Sequence, residues 1–308
     1  MNDAPAQGFD AGWLALREPF DAAARDGRLA ACFVEAVAAR AVRRQATDGS
    51  VPQACRLVDL AAGTGANVRL LAPRVGGGQD WLLVDHDPVL IAAQPRVLAA
   101  WAAGHGWPAR AEGDALVIDA PAGPWRIRSV ALDLQRSLDR LDLDGIDGVT
   151  TTAFLDLVSD DWLERFCDRI VAARVPLLAT LTVDGRRDWH PPGPDDGSLA
   201  VAFERHQQGD KGFGPSLGPG AVDALVARLQ ARGYRTQCAL ADWQVDGASP
   251  AMLLRMVEEC AAVAREADPD RAPLFDRWEA LRRAQAQSGS LRLCVGHRDL
   301  LALPARDD

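Results

Sequence analysis

The residues best placed to do chemistry form a short turn with two glycines, Gly63 and Gly65. The turn follows an apolar segment, Arg56 to Ala61, and precedes an amphipathic one, which is the pattern of a strand, a tight turn and a helix start. Because neither glycine carries a Cβ atom, a ligand can approach the backbone closely at the helix N-terminus. The turn, with its polar residues Thr64 and Asn67, therefore suits a nucleotide-like ligand, although a purely structural bend explains it equally well when it is taken alone.

Two acidic residues narrow the choice of ligand. Asp85 stands twenty residues after Gly65, at the end of the next apolar segment, and a carboxylate there can accept both hydrogen bonds of a ribose diol. A dinucleotide fingerprint requires a third glycine at position 68, where this chain has Val68. Asp59, inside the first apolar segment, is costly to bury unless it organises the turn or meets a cationic ligand. A sulfonium cofactor with an adenosine group satisfies both acidic positions.

With these residues the sequence resembles the class I S-adenosylmethionine-dependent methyltransferases, whose first motif is an acidic residue followed by a GxGxG-like turn. The matching segment here is Asp59-Leu60-Ala61-Ala62-Gly63-Thr64-Gly65, with Ala61 where the family usually has its first glycine. The resemblance covers about Arg56 to Val183. It implies an α/β, Rossmann-like, doubly wound and mostly parallel seven-stranded sheet with an antiparallel C-terminal hairpin and an N-terminal helical lid, and S-adenosyl-L-methionine as cofactor.

The same resemblance assigns roles to residues at the ends of successive strands. Asp85 would hold the ribose hydroxyls, His86 would flank the adenine, and Asp133 would accept a hydrogen bond from the adenine amino group. Arg17 is predicted to pair with the cofactor carboxylate, although an N-terminal helix that packs on the sheet explains its segment as well. The predicted cofactor-binding residues are Arg17, Asp59, Ala61, Gly63, Thr64, Gly65, Asn67, Asp85, His86, Asp133, Leu134 and Thr151.

The catalytic residues are predicted in a long segment, Asp184 to Pro219, which is rich in glycine, proline and charge. We expect it to be a functional loop that grips the substrate, while a solvated surface loop explains its composition equally well. A histidine with an ordinary pKa of about 6.5 suits the deprotonation of a nucleophile near neutral pH. Asp156 either steers an amine or caps the helix that begins near Ser159. The predicted catalytic residues are His206, Asp210 and Lys211.

Alternating short apolar and longer amphipathic segments are predicted to position these residues. The alternation after residue 50 is βαβα, which is typical of a parallel sheet, and such folds bind ligands at the carboxyl ends of their strands. We expect residues 1–50 to form the helical lid and residues 51–308 the Rossmann-like methyltransferase domain, with the substrate loop at 184–219. Later helices are predicted at Gly220 to Arg232, Ser249 to Ala267 and Pro273 to Gln287, and strands at Tyr234 to Val245 and Leu291 to Leu303.

The composition limits the partners. The net charge of -9 argues against a general nucleic-acid binder, and no apolar run approaches the roughly 20 residues that span a bilayer. Six scattered cysteines form neither a CxxC pair nor a cluster with metal-ligand spacing, so no metal site is predicted. The N-terminus lacks the pattern of a secretory signal, which predicts a cytoplasmic protein. We expect a small-molecule substrate and neither a nucleic-acid nor a membrane partner, while the sequence says nothing about the oligomeric state.

The predicted reaction is methyl transfer to an oxygen or nitrogen nucleophile of a small molecule by in-line substitution. Two alternatives remain open at this point. One is an NAD(P)-dependent oxidoreductase on the same kind of sheet, against which the absent third glycine argues. The other is a non-catalytic partner protein that retains the methyltransferase fold.

Overall fold

The computed structural model describes residues 11–48, 54–207, 209 and 212–305, which form ten helices and ten strands. None of these helices is both long and apolar enough to cross a membrane. The helices are α1 (Ala11–Ala24), α2 (Gly27–Asp48), α3 (Ala66–Val75), α4 (Pro88–Gly104), α5 (Leu134–Ser137), α6 (Asp160–Ala173), α7 (Asp196–Gln207), α8 (Ala221–Ala231), α9 (Pro250–Ala267) and α10 (Ala272–Gln287). The strands are β1 (Cys55–Leu60), β2 (Gln79–Asp85), β3 (Ala109–Glu112), β4 (Ala115–Ala120), β5 (Gly123–Ala131), β6 (Gly148–Thr152), β7 (Leu177–His190), β8 (Arg235–Leu240), β9 (Trp243–Val245) and β10 (Arg292–Leu303).

Five parallel strands form the centre of the fold, in the order β5-β2-β1-β6-β7. Leu57 in the middle strand pairs with Trp81 of β2 on one side and with Gly148 of β6 on the other. The strand order reverses direction at β1, and the carboxyl ends of the strands beside such a reversal form a crevice where α/β proteins bind ligands. The predicted α/β class is therefore confirmed, and the glycine turn leaves β1 at this crevice.

The sheet differs from the predicted mostly parallel, seven-stranded one. In the described ranges it has ten strands, in the order β3-β4-β5-β2-β1-β6-β7-β10-β8 with β9 beside β10, and five of its nine pairings are antiparallel. The hairpin of β3 and β4 provides backbone hydrogen-bond partners for the outer edge of β5, which pairs with β4. The expected strand Tyr234 to Val245 is divided into β8 and β9. The five central strands are parallel as expected, and the additional strands lie on either side of them.

The last strand, β10, inserts between β7 and β8 and is antiparallel to both, which confirms the antiparallel C-terminal end. It pairs with β7 from Leu177 to His190, so β7 continues well beyond Val183, where we expected it to end. Helix α7 then occupies Asp196–Gln207. The prediction that residues 184–219 form a loop was therefore wrong for most of the segment, because pairing with a distant strand gives these polar residues a backbone partner that their composition does not reveal.

Helix α2 is packed directly on the parallel strands. Phe33 and Val37 are fully buried in one hydrophobic core with residues of β1 and β2. The close approach requires Gly148, since a Cβ atom there would lie 2.6 Å from Val37 Cγ2 and 2.8 Å from Phe33 Cζ. Part of the N-terminal segment thus completes the core of the sheet, and the predicted division into a lid and a domain near residue 50 stays a prediction.

A second hydrophobic core lies beside the carboxyl ends of the strands. We call this region the cap: helices α1, α7, α9 and α10 with β9 and the outer halves of β7 and β10. Four tryptophans fill it, Trp13, Trp189, Trp243 and Trp278. Charged or titratable side chains are buried among them, including Arg17 at 8% exposure and His297 at 3%. Such groups are costly in an apolar core unless something pairs with them.

Candidate functional site

A buried carboxylate, Asp59, lies near the carboxyl end of β1 and is only 1% exposed. One of its oxygens, Oδ1, accepts hydrogen bonds from Asn67 Nδ2 at 2.6 Å and from Thr150 Oγ1 at 2.7 Å. Burial raises the pKa of Asp59 to about 6. The two hydrogen bonds favour the ionised form and limit this increase. The carboxylate is held in place by neutral groups and keeps a capacity to interact with a positive charge.

Arg25 is the functional residue that the sequence did not reveal. It lies between α1 and α2, where Nη1 donates to Asn67 Oδ1 at 2.6 Å and Nη2 donates to Thr152 Oγ1 at 3.0 Å. Burial lowers the pKa of Arg25, while the nearby carboxylates, Asp59 among them, raise it. The guanidinium thus joins the ends of β6 and α3 in one polar network. Nothing in the spacing of the surrounding residues marks this arginine, because its partners are 42 and 127 residues away.

The glycine turn has the backbone conformation that the motif requires. Gly63 and Gly65 have φ angles of 54° and 83°, in the left-handed region that favours glycine. Ala61, at the position where the family usually has glycine, has a φ of 50°. The turn therefore has the shape of a glycine-rich one even where this chain has an alanine, and the left-handed conformation of Ala61 is strained.

Asp85 connects this turn to the end of β2 and is 5% exposed. Its Oδ2 accepts from the Gly63 amide at 2.8 Å, and its Oδ1 accepts from the amides of His86 and Asp87 at 2.8 and 3.0 Å. A carboxylate has about four acceptor positions, so these three bonds leave about one for a ligand hydroxyl. The role of Asp85 in binding a ribose stays a prediction, and holding both hydroxyls requires the turn to release the Gly63 contact.

The other predicted cofactor residues lie along the same edge of the sheet and differ in their contacts. The ring of His86 is exposed, with Nδ1 3.6 Å from Asp85. Asp133 caps α5 by accepting from the amide of Gln135 at 2.9 Å. Thr151 is buried, and its hydroxyl donates to the Leu60 carbonyl at 3.0 Å, so that it links β6 to β1. Buried neighbours of the crevice are Thr64, Asn67 and Leu134.

Helix α1 passes directly over the glycine turn. A Cβ atom on Gly63 would lie 3.2 Å from Leu14 Cδ1. Glu18 pairs with the buried Arg69 through bonds of 2.6 and 2.8 Å, and Arg69 also donates to the Thr64 carbonyl at 2.7 Å. An open pocket of about 140 Å³ lies between α1 and α3 and leaves their packing incomplete. Polar contacts thus contribute much of what holds α1 over the crevice, and a ligand that enters here must share the space with it.

Arg17 directly precedes Glu18 in α1, and its side chain faces the cap and not the turn. Its Nε and Nη2 donate to Asp21 at 3.0 and 3.2 Å, and its guanidinium lies 4.9 Å from the ring centroid of Trp243. The Trp243 indole N–H also donates to Asp21 at 3.0 Å. The predicted pairing of Arg17 with a cofactor carboxylate stays a prediction, since the structure gives this arginine an internal carboxylate partner.

Asp156 lies just beyond β6 and has a buried oxygen, Oδ1, with no hydrogen-bond partner among the described residues. Ser159 caps α6, with the Trp162 amide donating to its Oγ at 3.3 Å, so Asp156 is not the helix cap. Burial raises the pKa of Asp156 to about 6, while the positive charge of Arg17 acts in the other direction. The prediction that Asp156 caps this helix was therefore wrong, and its role toward a ligand stays a prediction.

The three predicted catalytic residues are not brought to the crevice by any contact that the structure describes. His206 lies in α7, with Nε2 3.7 Å from Glu266 Oε2 of α9. Asp210 and Lys211 lie outside the described residues. The described part of the chain also holds no group of three or more His, Cys, Asp or Glu side chains arranged for a metal ion. The catalytic role of these three residues stays a prediction.

No family model matches the sequence, and no curated protein matches it. Solved structures do resemble the chain. A cyclopropane-fatty-acyl-phospholipid synthase-like protein from Lactobacillus casei is 13% identical, with 96% of this chain and 95% of that one covered and a TM-score of 0.48. An S-adenosylmethionine-dependent methyltransferase from Thiobacillus denitrificans, in complex with S-adenosyl-L-homocysteine, is 12% identical, with 97% and 100% covered and a TM-score of 0.43. A cyclopropane synthase from Mycobacterium tuberculosis is 10% identical, with 85% and 83% covered and a TM-score of 0.40. Methyltransferases are thus among the structures that this chain is similar to.

We expect Ala61→Gly to increase the free energy of unfolding by about 0.5 to 1 kcal/mol, because glycine adopts the left-handed conformation without the steric strain that alanine carries. Urea unfolding of the two proteins measures the difference. The matched control is Ala62→Gly, at a neighbouring buried alanine without a positive φ, which we expect to destabilise the protein. An Ala61→Gly variant no more stable than wild type would contradict the strain.

We expect Asp156→Asn to alter the pH dependence of stability. The folded pKa of about 6 exceeds the ordinary value of 3.8, so the folded state keeps a proton that the unfolded chain has lost. This group favours folding most below pH 4, and its contribution is lost as the pH rises to about 6 and above. From pH 4 to pH 7 the variant should therefore gain up to about 2 to 3 kcal/mol relative to wild type in urea unfolding. Asp161→Asn, at an exposed neighbour, is the control and should show a constant difference.

Proposed function

We propose that the protein is an S-adenosyl-L-methionine-dependent methyltransferase that acts on a small-molecule acceptor. The observation that carries the proposal is the left-handed turn of Gly63 and Gly65, which joins β1 to α3 beside two buried carboxylates, Asp59 and Asp85. These groups lie at the carboxyl ends of the strands where the strand order reverses. The combination offers a glycine turn for close approach, a carboxylate for a ribose hydroxyl and a negative environment for a cation.

The residues present fit this cofactor in charge and shape. Asp59 and Asp156 both have a pKa raised by burial, and a cationic ligand between the strand ends would favour their ionised forms. The turn and Asp85 would hold the nucleoside, with Asp133 and His86 near the base. When bound, S-adenosyl-L-methionine supplies an electrophilic methyl group on a positively charged sulfur.

We infer that Asp156 acts on the acceptor in place of the residues that the sequence suggested. Its unpartnered Oδ1 accepts a hydrogen bond from an acceptor O–H or N–H group and orients its lone pair. With the cofactor bound, its methyl group would be the electrophile, and Asp156 would take up the proton that the acceptor O–H or N–H group loses. Asp156 follows β6, and in the family that the sequence resembles the segment around the fourth parallel strand faces cofactor and substrate.

The structure offers less to a dinucleotide. Val68, where the dinucleotide fingerprint has its third glycine, is completely buried in the core between α3 and the sheet. The antiparallel β10 between β7 and β8 also departs from the all-parallel order typical of dinucleotide-binding domains. We therefore favour a methyltransferase over an NAD(P)-dependent oxidoreductase.

Isothermal titration calorimetry with S-adenosyl-L-homocysteine tests the proposal. We expect measurable binding by the wild-type protein and at least a tenfold loss of affinity in Asp85→Asn, because a hydrogen bond to a charged acceptor contributes about 1.5 to 3 kcal/mol. The control is Asp80→Asn at the opposite end of β2, which should leave the affinity unchanged. Circular dichroism checks that both variants fold. Absence of binding by the wild type, or preferential binding of NADH, would reject the methyltransferase assignment.

Because α1 lies over the glycine turn, we expect the contacts that hold it there to limit how fast a ligand enters and leaves the crevice. Glu18→Gln weakens the ion pair with Arg69 that holds α1 over the turn, so we expect both association and dissociation of S-adenosyl-L-homocysteine to become several-fold faster. Stopped-flow tryptophan fluorescence measures the two rates. Glu112→Gln, which breaks an exposed ion pair with Arg126 at the far edge of the sheet, is the control. Unchanged rates in Glu18→Gln would show that α1 does not limit access.

A further inference from the structure

The cap contains a partly buried arginine, Arg187, whose Nε has no hydrogen-bond partner. Arg187 lies on the outer half of β7 and makes no hydrogen bond or ion pair with any residue in the described ranges, and its Nε is buried without a partner. Its guanidinium lies 3.7 Å from the ring centroid of Phe203 in α7. The aromatic ring orients the guanidinium but satisfies none of its N–H groups, and buried polar groups in native proteins normally have partners.

Two further donors near this arginine are also unsatisfied. His297 is 3% exposed and its Nδ1 has no hydrogen-bond partner, and Trp189 is 6% exposed with an unpartnered Nε1. Burial lowers the pKa of His297 to about 4, and the charges of Arg17 and Arg187 act in the same direction. The ring is therefore neutral near pH 7 and carries one N–H group, and an interaction with the Val295 backbone opposes the lowering of its pKa.

The sheet register places these groups on one face. Arg187 and Trp189 are two residues apart on β7 and so point to the same side. Val295 of β10 pairs with Arg187 and also with Trp243 of β9, which brings Trp243 to this side. The His297 ring lies 4.9 Å from the Trp243 ring. The face belongs to the cap core and is covered by α1, α7 and α9.

The carboxylates around this face already have other partners. Asp21 binds Arg17 and the Trp243 indole, and Asp184 binds Arg186. Glu259 pairs with Arg255 at 3.0 Å. None of these carboxylates forms a hydrogen bond with the buried nitrogen atoms of Arg187, His297 and Trp189.

We propose that Arg187, with the N–H groups of His297 and Trp189, binds an anionic group, a carboxylate or a phosphate, of a small molecule in the cap. A planar guanidinium suits both anions because it donates two parallel hydrogen bonds. Arg17 connects this position to the crevice, because its guanidinium lies 4.9 Å from the Trp243 ring, which lies 4.9 Å from the His297 ring, and because Leu14 of the same helix lies over the glycine turn. If the proposed function holds, the bound molecule is the methyl acceptor, with its anionic end at Arg187 and its nucleophile toward Asp156.

Thermal unfolding in the absence of any cofactor tests the anion site, with sodium phosphate and sodium acetate as probes against sodium chloride at equal ionic strength. We expect one of the two anions to raise the Tm of the wild type by about 2 °C at tens of millimolar. The Arg187→Met variant should lose this response. It should also be at least as stable as wild type without anions, because it removes a partly buried guanidinium whose Nε has no partner. Arg277→Gln, at an exposed arginine of α10, should keep the wild-type response.

The outcomes separate the two proposals. A phosphate response without an acetate response assigns a phosphorylated ligand, and the reverse assigns a carboxylate. Equal responses of the wild type and Arg187→Met, or no response of the wild type to either anion, would overturn the anion site. So would a clear loss of stability in Arg187→Met, which would make Arg187 a packing residue held by Phe203. An Arg187-dependent response in a protein that does not bind S-adenosyl-L-homocysteine keeps the site and rejects the methyltransferase.

Discussion

The structure depends on the burial of a carboxylate, Asp59, at the centre of a parallel sheet. Taking this group out of water is unfavourable, and the protein offsets the loss with neutral donors from Asn67 and Thr150. Those donors fix the start of α3 and the end of β6, and Asn67 in turn accepts from Arg25. One buried charge therefore determines how the glycine turn, β6 and the junction of α1 with α2 meet at a single crevice.

Helix α1 belongs to both halves of the molecule. Leu14 and Glu18 face the glycine turn, while Trp13, Arg17 and Asp21 are buried in the cap. Movement of α1 away from the crevice would also disturb the cap, because the two sets of contacts lie on one rigid helix. If the proposed cofactor occupies the crevice, its binding would therefore be coupled through α1 to the arrangement of the cap.

Charge is distributed unevenly along the line from the crevice into the cap. Carboxylates with pKa values raised by burial, Asp59 and Asp156, lie at the strand ends, and unpaired or neutral donors, Arg187 and His297, lie deeper under the helices. According to the two proposals, a cation would be stabilised at the first position and an anion at the second. The two ends of a bound molecule would then meet opposite electrostatic environments, which would orient it.

The local pattern of residues was enough to predict the central strands, the glycine turn and the carboxylates beside it, because these follow from alternation of apolar segments and from short motifs. It was also enough to place the late helices and β10. Only the tertiary structure could show that residues 184–190 extend a strand, that Arg25 joins the site, that Asp156 is unpartnered and that α1 covers the turn. Each of these depends on contacts between residues far apart in the chain, such as Arg25 with Thr152 or His190 with Arg292, and no local periodicity encodes such a pairing.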